Sequence, residues 1–388
     1  MGELSAKKPE TIAVQAGRMT REHFGAVNTP VYRASTILFP DLESLEKGNG
    51  PYRYARLGTP TSCSFEDAIE ALEGGARTVV VPSGLAAISL ALMSVASAGD
   101  HVLMTDTCYF PTRQFCDKTL KRFGVETTYY DPSIGADIAG LMRPNTKAVY
   151  CESPGSLTFE MQDIPAIARA AHARGAAVLM DNTWATPIYY DAFGHGVDVI
   201  VQAATKYVGG HSDVMLGYVS ANERCAKALD ETHRTLGLHA SVDDCFLGLR
   251  GLRTLPVRLK RHMETGLRLA RWLKDRPEVK RVLHPGLEDD PGYALWKRDF
   301  TGASGLFSFE LKPVPQGAVA AFVNGLKHFG MGWSWGGYES LIVPCHIVRT
   351  ATPFVHEGPM LRIHAGLEDP DDLIADLEAG LGRLRASG

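Results

Sequence analysis

The stretch Arg77-Thr-Val-Val-Val81-Pro-Ser-Gly84-Leu-Ala-Ala-Ile-Ser-Leu-Ala-Leu-Met-Ser-Val-Ala96 decides how the rest of the chain is read. Thr78–Val81 is a β-branched run of strand length, and Gly84–Ala96 is small and apolar on most sides, as a buried helix is. The uncharged run from Thr78 to Gly99 approaches the length of a membrane span. Pro82, Ser83 and Gly84 break it near its start, so it reads as strand, turn and helix, and no membrane partner is expected.

Outward from this unit the same rhythm continues. His101–Thr105, Val125–Tyr130, Ala148–Cys151, Ala176–Met180 and Val197–Val201 read as strands. Pro111–Phe123 and Ile164–Arg174 read as helices, the second closed by Gly175. Alternation of this kind predicts an α/β fold, a mainly parallel sheet with helices on both faces. In such sheets ligands gather beyond the carboxyl ends of the strands. A long helical pattern over Val257–Lys274 opens a second rhythm, with strands at Leu306–Leu311 and Leu361–His364 and helices at Val319–Leu326 and Asp371–Leu384. The expected organisation is an N-terminal arm at 1–60, a ligand-binding domain at 61–255 and a smaller α+β domain at 256–388. The arm is rich in turn formers and gains little from packing on its own chain, so a neighbouring subunit is expected to order it.

With 388 residues, 22% charged and 45% apolar, the composition is that of an ordinary globular protein. A net charge of −4 gives no reason to expect a nucleic-acid partner. The seven cysteines are scattered and form no C-x-x-C pair, which argues against a metal site or a disulfide framework. The N-terminus has no apolar core of a signal peptide, and a reducing cytoplasm is the expected location.

Three positions carry candidate chemistry. Lys206 follows an apolar strand and sits among Ala203, Ala204, Gly209 and Gly210, with no acidic residue until Asp213. Desolvation there favours the neutral, nucleophilic amine; a buried structural lysine fits the same pattern. Asp181 ends the strand Ala176–Met180, where a carboxylate can face a ligand or cap a helix. Ser83-Gly-Leu-Ala-Ala87 joins strand to helix with residues small enough for backbone N–H groups to approach a phosphate, or simply to make a tight turn. It lacks the G-x-G-x-x-G and Walker patterns, so a dinucleotide or nucleoside triphosphate fits poorly.

Tyr54-Ala-Arg56, Ser83-Gly-Leu-Ala-Ala87, Tyr109, Asp181-Asn-Thr-Trp184, Thr205-Lys206 and Arg362 together resemble the cysteine/methionine-metabolism family of enzymes dependent on pyridoxal 5′-phosphate (PLP). The resemblance runs from about residue 10 to the C-terminus. It implies the PLP-dependent transferase fold type I, like that of aspartate aminotransferase, and a homotetramer, a dimer of dimers with shared active sites. It also implies that Lys206 holds the cofactor covalently, that Asp181 faces the pyridine nitrogen, and that Gly84, Leu85 and Thr205 bind the phosphate. Ala203 stands where some members carry a phosphate-binding serine. Tyr54 and Arg56 match the pair that reaches a neighbouring subunit's phosphate, Tyr109 the residue that stacks on the ring, and Arg362 the clamp on the substrate α-carboxylate.

The family divides between β and γ chemistry. Tyr109-Phe-Pro-Thr112, Glu152-Ser-Pro-Gly-Ser156 and Ser334-Trp-Gly-Gly-Tyr-Glu-Ser340 resemble the bacterial cystathionine β-lyases rather than the γ enzymes. That resemblance implies cleavage of L-cystathionine, or of cystine and other S-substituted cysteines, with Ser334 and Trp335 beside the substrate. A γ-elimination or γ-replacement enzyme is the alternative. A PLP-binding regulator is a distant one, because no helix-turn-helix or basic patch is evident.

Overall fold

The computed structural model describes residues 7–387. Its larger sheet has seven strands: β1 (Arg77–Val81), β2 (His101–Thr105), β3 (Glu126–Tyr130), β4 (Thr146–Glu152), β5 (Ala177–Asp181), β6 (Val199–Gln202) and β7 (Gly217–Ala221). They lie in the order β1-β7-β6-β5-β4-β2-β3. The run from β6 to β3 is parallel, whereas β7 is antiparallel to both neighbours, β1 and β6. The sheet is thus mainly parallel as the sequence predicts, with one inserted antiparallel strand that the pattern did not reveal.

Side chains alternate across this sheet, and each face has its own core. Val80, Leu103, Val149, Val178 and Ile200 point into one, and Val79, Val81, Val102, Met104, Leu179 and Val201 into the other. Burial on both sides explains why these strands are continuous apolar runs rather than alternating ones. The predicted helix over Pro111–Phe123 is present as Phe110–Gln114 followed by a π-helical segment, Phe115–Leu120.

A helix of 20 residues, Leu255–Lys274, leads into the smaller sheet. Its strands are β8 (Val279–Leu283), β9 (Leu306–Leu311), β10 (Phe329–Gly330), β11 (Ser340–Pro344) and β12 (Met360–His364), in the order β10-β11-β12-β9-β8. Phe307, Phe309, Ile342, Leu361 and Ile363 form its core with Phe322 and Leu377 from the helices Gln316–Asn324 and Pro370–Ser387.

The N-terminal expectation needs one correction. The helix Pro9–Gln15 does pack on its own chain: Ile12 and Ala13 are buried, and Arg253 donates to the carbonyls of Ala13 and Ala16, both at 2.8 Å. Beyond it Phe24, Val27, Leu38, Leu42 and Leu45 are exposed apolar side chains.

Candidate active site

The carboxyl ends of the parallel strands converge on one cavity of about 350 Å³. β1 leads to Ser83 and Gly84, β2 to Tyr109, β4 ends at Glu152, β5 at Asp181, and β6 leads to Thr205 and Lys206. The part of the chain that carries the smaller sheet closes the cavity with Trp333, Ser334, Trp335 and Arg362. Nine of the eleven predicted site residues therefore meet in this cavity: Gly84, Leu85, Tyr109, Asp181, Thr205, Lys206, Ser334, Trp335 and Arg362. Tyr54 and Arg56 do not line it. The Arg56 guanidinium lies 5.8 Å from the Tyr54 ring centre and donates to the Arg234 carbonyl at 3.2 Å.

At one end the helix Gly84–Val95 begins. Ser83 caps it by accepting from Ala86 N at 3.1 Å, which leaves the first N–H groups, at Gly84 and Leu85, without a partner inside the helix. A Cβ on Gly84 would sit 2.6 Å from that of Ala203, so both positions require small residues. The result is a close approach of backbone donors at a helix start, suited to an anion. Thr205 stands beside it, its hydroxyl accepting from Leu216 N at 2.9 Å and donating to the Leu216 carbonyl.

In the middle, Lys206 Nζ donates to Ser334 Oγ at 2.8 Å and lies 5.5 Å from the Trp335 ring centre. Burial, and then the positive charge of Arg362, push this amine down to about 8, against a smaller opposing pull from Asp181. Arg362, on β12, donates through NH2 to the carbonyls of Ser334 (3.2 Å) and Trp333 (3.4 Å). Gly336 (φ +84°) lets the turn after Trp335 lie on the backbone of Lys206 and Tyr207, where a Cβ would come within 2.8 Å of Tyr207 N.

Opposite, Asp181 Oδ1 accepts from Thr183 N at 2.9 Å and from Thr183 Oγ1 at 2.5 Å. Burial raises this carboxyl, while the Thr183 bonds and the Lys206 charge work the other way. Glu152, on the neighbouring strand, accepts from the Tyr109 backbone N–H at 2.7 Å. Sequence reading used Glu152 only as a mark of the β branch and passed over Thr183. Their significance depends on the register of β4 and β5, which pairs Glu152 with Asp181.

A recessed amine of lowered basicity, a carboxylate facing it, and a helix-start cradle form a donor set that fits a flat pyridine aldehyde carrying a phosphate. The chain matches the family model for Cys/Met metabolism PLP-dependent enzymes over residues 10–382. A protein of Rhizobium johnstonii, provisionally named a cystathionine β-lyase, is 50% identical over 94% of this chain and 93% of its own. The cystathionine β-lyase of Escherichia coli is 45% identical, covering 98% of this chain and 100% of its own. Among solved structures, cystathionine γ-synthase of Xanthomonas oryzae in complex with cystathionine superposes with a TM-score of 0.90 at 32% identity, over 98% of this chain and 100% of that one. The chain therefore belongs to the Cys/Met-metabolism family of PLP-dependent enzymes, and its fold is the type I fold of that family.

Proposed function

We propose that this enzyme is a carbon–sulfur β-lyase that cleaves L-cystathionine to homocysteine, pyruvate and ammonia. The observation that carries the reading is Ser334, whose hydroxyl receives the Lys206 amine and whose carbonyl receives Arg362 in one cavity. The base and the carboxylate clamp are thereby held at a fixed separation, so an α-amino acid bound at Arg362 presents its Cα to Lys206. A relative 45% identical over nearly the whole chain carries the cystathionine β-lyase name, which supports the substrate.

In this reading Lys206, Asp181, Thr205, Gly84 and Leu85 hold the cofactor, with Tyr109 against its ring and Tyr54 and Arg56 reaching the phosphate of a neighbouring subunit. When bound, PLP supplies an electron sink for the pair released at Cα. Arg362 pairs with the substrate carboxylate. Lys206, in its neutral form, takes the Cα proton, and Ser334 orients the nitrogen that receives it. Asp181 keeps a proton on the pyridine nitrogen. The Cβ–S bond breaks, homocysteine departs, and water converts the remaining three-carbon fragment to pyruvate and ammonia. The Tyr109 hydroxyl serves proton transfer at the leaving sulfur.

We also take the chain to have an arm (1–60), a cofactor domain (61–255) and a C-terminal domain (256–388). It would act in the cytoplasm as a homotetramer, a dimer of dimers whose sites are shared. The alternative, γ-elimination or γ-replacement, is kept by the likeness to γ-synthase and γ-lyase structures at 31–32% identity. Purified holoenzyme given L-cystathionine separates the two: pyruvate is the expected oxo acid, and 2-oxobutyrate would move the assignment to γ-elimination.

A further inference from the structure

Glu152 has no part in the scheme above, yet it lines the cavity. It ends β4 as Asp181 ends β5, and the two are register partners on adjacent parallel strands. Their backbones are thus only about 4.8 Å apart. Two carboxylates so placed, both poorly solvated, repel too strongly for both to ionise, and the pair shares one proton.

The hydrogen bonds decide which group carries it. Asp181 accepts two, from Thr183 N (2.9 Å) and Thr183 Oγ1 (2.5 Å). Glu152 accepts one, from Tyr109 N at 2.7 Å, and makes no other hydrogen bond among the described residues. Donors favour the charged form, so Asp181, with two, is the better anion and the proton rests on Glu152. The other groups acting on Glu152 or acted on by it are Tyr150 on its own strand and Cys108 and Tyr109 after β2; none is a cation. Burial and Asp181 both push Glu152 well up, in agreement with the geometry.

We infer that Glu152 is a positioning residue that acts as a neutral carboxylic acid. Its carbonyl oxygen, Oε2, fixes the main chain of Tyr109 and hence the ring that stacks in the cavity. Its uncharged state leaves Asp181 as the only carboxylate at the end of the cavity it shares with Glu152. The inference rests on the assignment of PLP to this cavity and not on which thioether is cleaved.

The test compares Glu152→Gln and Glu152→Ala in the holoenzyme. The amide of the first can still accept from Tyr109 N and is always neutral. The alanine variant is expected to lose about tenfold in kcat, the equivalent of one hydrogen bond, with a weakened visible dichroism of the bound cofactor. The glutamine variant is expected to recover that dichroism and the wild-type pH midpoint of the cofactor absorbance. Infrared difference spectra should show a protonated-carboxyl C=O stretch in the wild type that Glu152→Gln lacks. If glutamine shifts the midpoint by a full pH unit, if it fails to rescue the dichroism, or if the infrared band is absent, the inference is overturned. Wild-type behaviour of the alanine variant would overturn it as well. Should that variant not fold, the glutamine and infrared results decide alone. Neither requires substrate, so failure of the lyase reading would be seen separately, in the products.

Discussion

Lys206 Nζ donates to the Ser334 hydroxyl at 2.8 Å, across the gap between the two sheets. The bond ties the amine after β6 to the turn between β10 and β11, so the reactive nitrogen is aimed by a residue 128 positions away in sequence. Ser334→Ala should leave the cofactor bound but the nitrogen unaimed. A hydrogen bond to a charged group contributes roughly 1.5–3 kcal/mol, so kcat should fall by about ten- to a hundredfold, with a smaller effect on KM. Steady-state kinetics on L-cystathionine check this.

The lowered basicity of Lys206 predicts how the apoenzyme takes up its cofactor. Only the neutral amine attacks an aldehyde, and this group titrates near 8 rather than at the usual 10.5. The rate of PLP capture should rise about tenfold per pH unit below that point and level off above it. Stopped-flow absorbance measures it. A rate still climbing steeply past pH 9 would mean that the cavity does not depress the lysine.

Arg362 engages backbone carbonyls through NH2 alone among the described residues, which leaves the rest of its fork for a carboxylate. Arg362→Ala should reduce kcat/KM by about 2–5 kcal/mol in transition-state terms, chiefly through KM. Arg362→Lys should recover only part, because a point charge does not replace a planar fork.

Arg56 does not line the cavity of its own chain and donates to the Arg234 carbonyl, as expected if it serves a neighbour. Arg56→Ala and Lys206→Ala chains, each inactive, should regain activity when refolded together. Random pairing in a shared-site dimer yields about a quarter of the sites intact. No recovery would place Arg56 outside the active site.

Away from the site, Glu73 lies buried against Tyr218, whose hydroxyl donates to it at 2.7 Å. Burial raises the carboxyl from 4.5 to about 8. Because the folded value is the higher one, its contribution to stability is full below about pH 4.5 and is lost as the pH rises through about 8. Glu73→Gln should flatten the fall of the urea midpoint over that window, by at most about 1.4 kcal/mol per pH unit.

Much of this was legible in the sequence, and the reasons are local. Runs such as Thr78–Val81 and Ala176–Met180 identify themselves as strands because burial on both faces demands continuous apolar side chains. β7, with Gly217, Tyr218 and Ser220, offers no such run, and its antiparallel insertion depends on pairings with β1 and β6. Lys206 stood out by its small neighbours, whereas Ser334 and Arg362 were found only through family resemblance. Nothing in their local pattern places them beside a lysine in another sheet. Glu152 shows the limit most clearly, since its neighbour across the strands, Asp181, is 29 residues further along the chain.

If Lys206 is where cofactor and substrate chemistry meet, borohydride reduction of the holoenzyme followed by peptide mass mapping will find the cofactor there. The pyridoxyl mass should appear on the peptide carrying Lys206, with loss of pyruvate production from L-cystathionine. A pyridoxyl group on any other lysine, or none while pyruvate production continues, would contradict it.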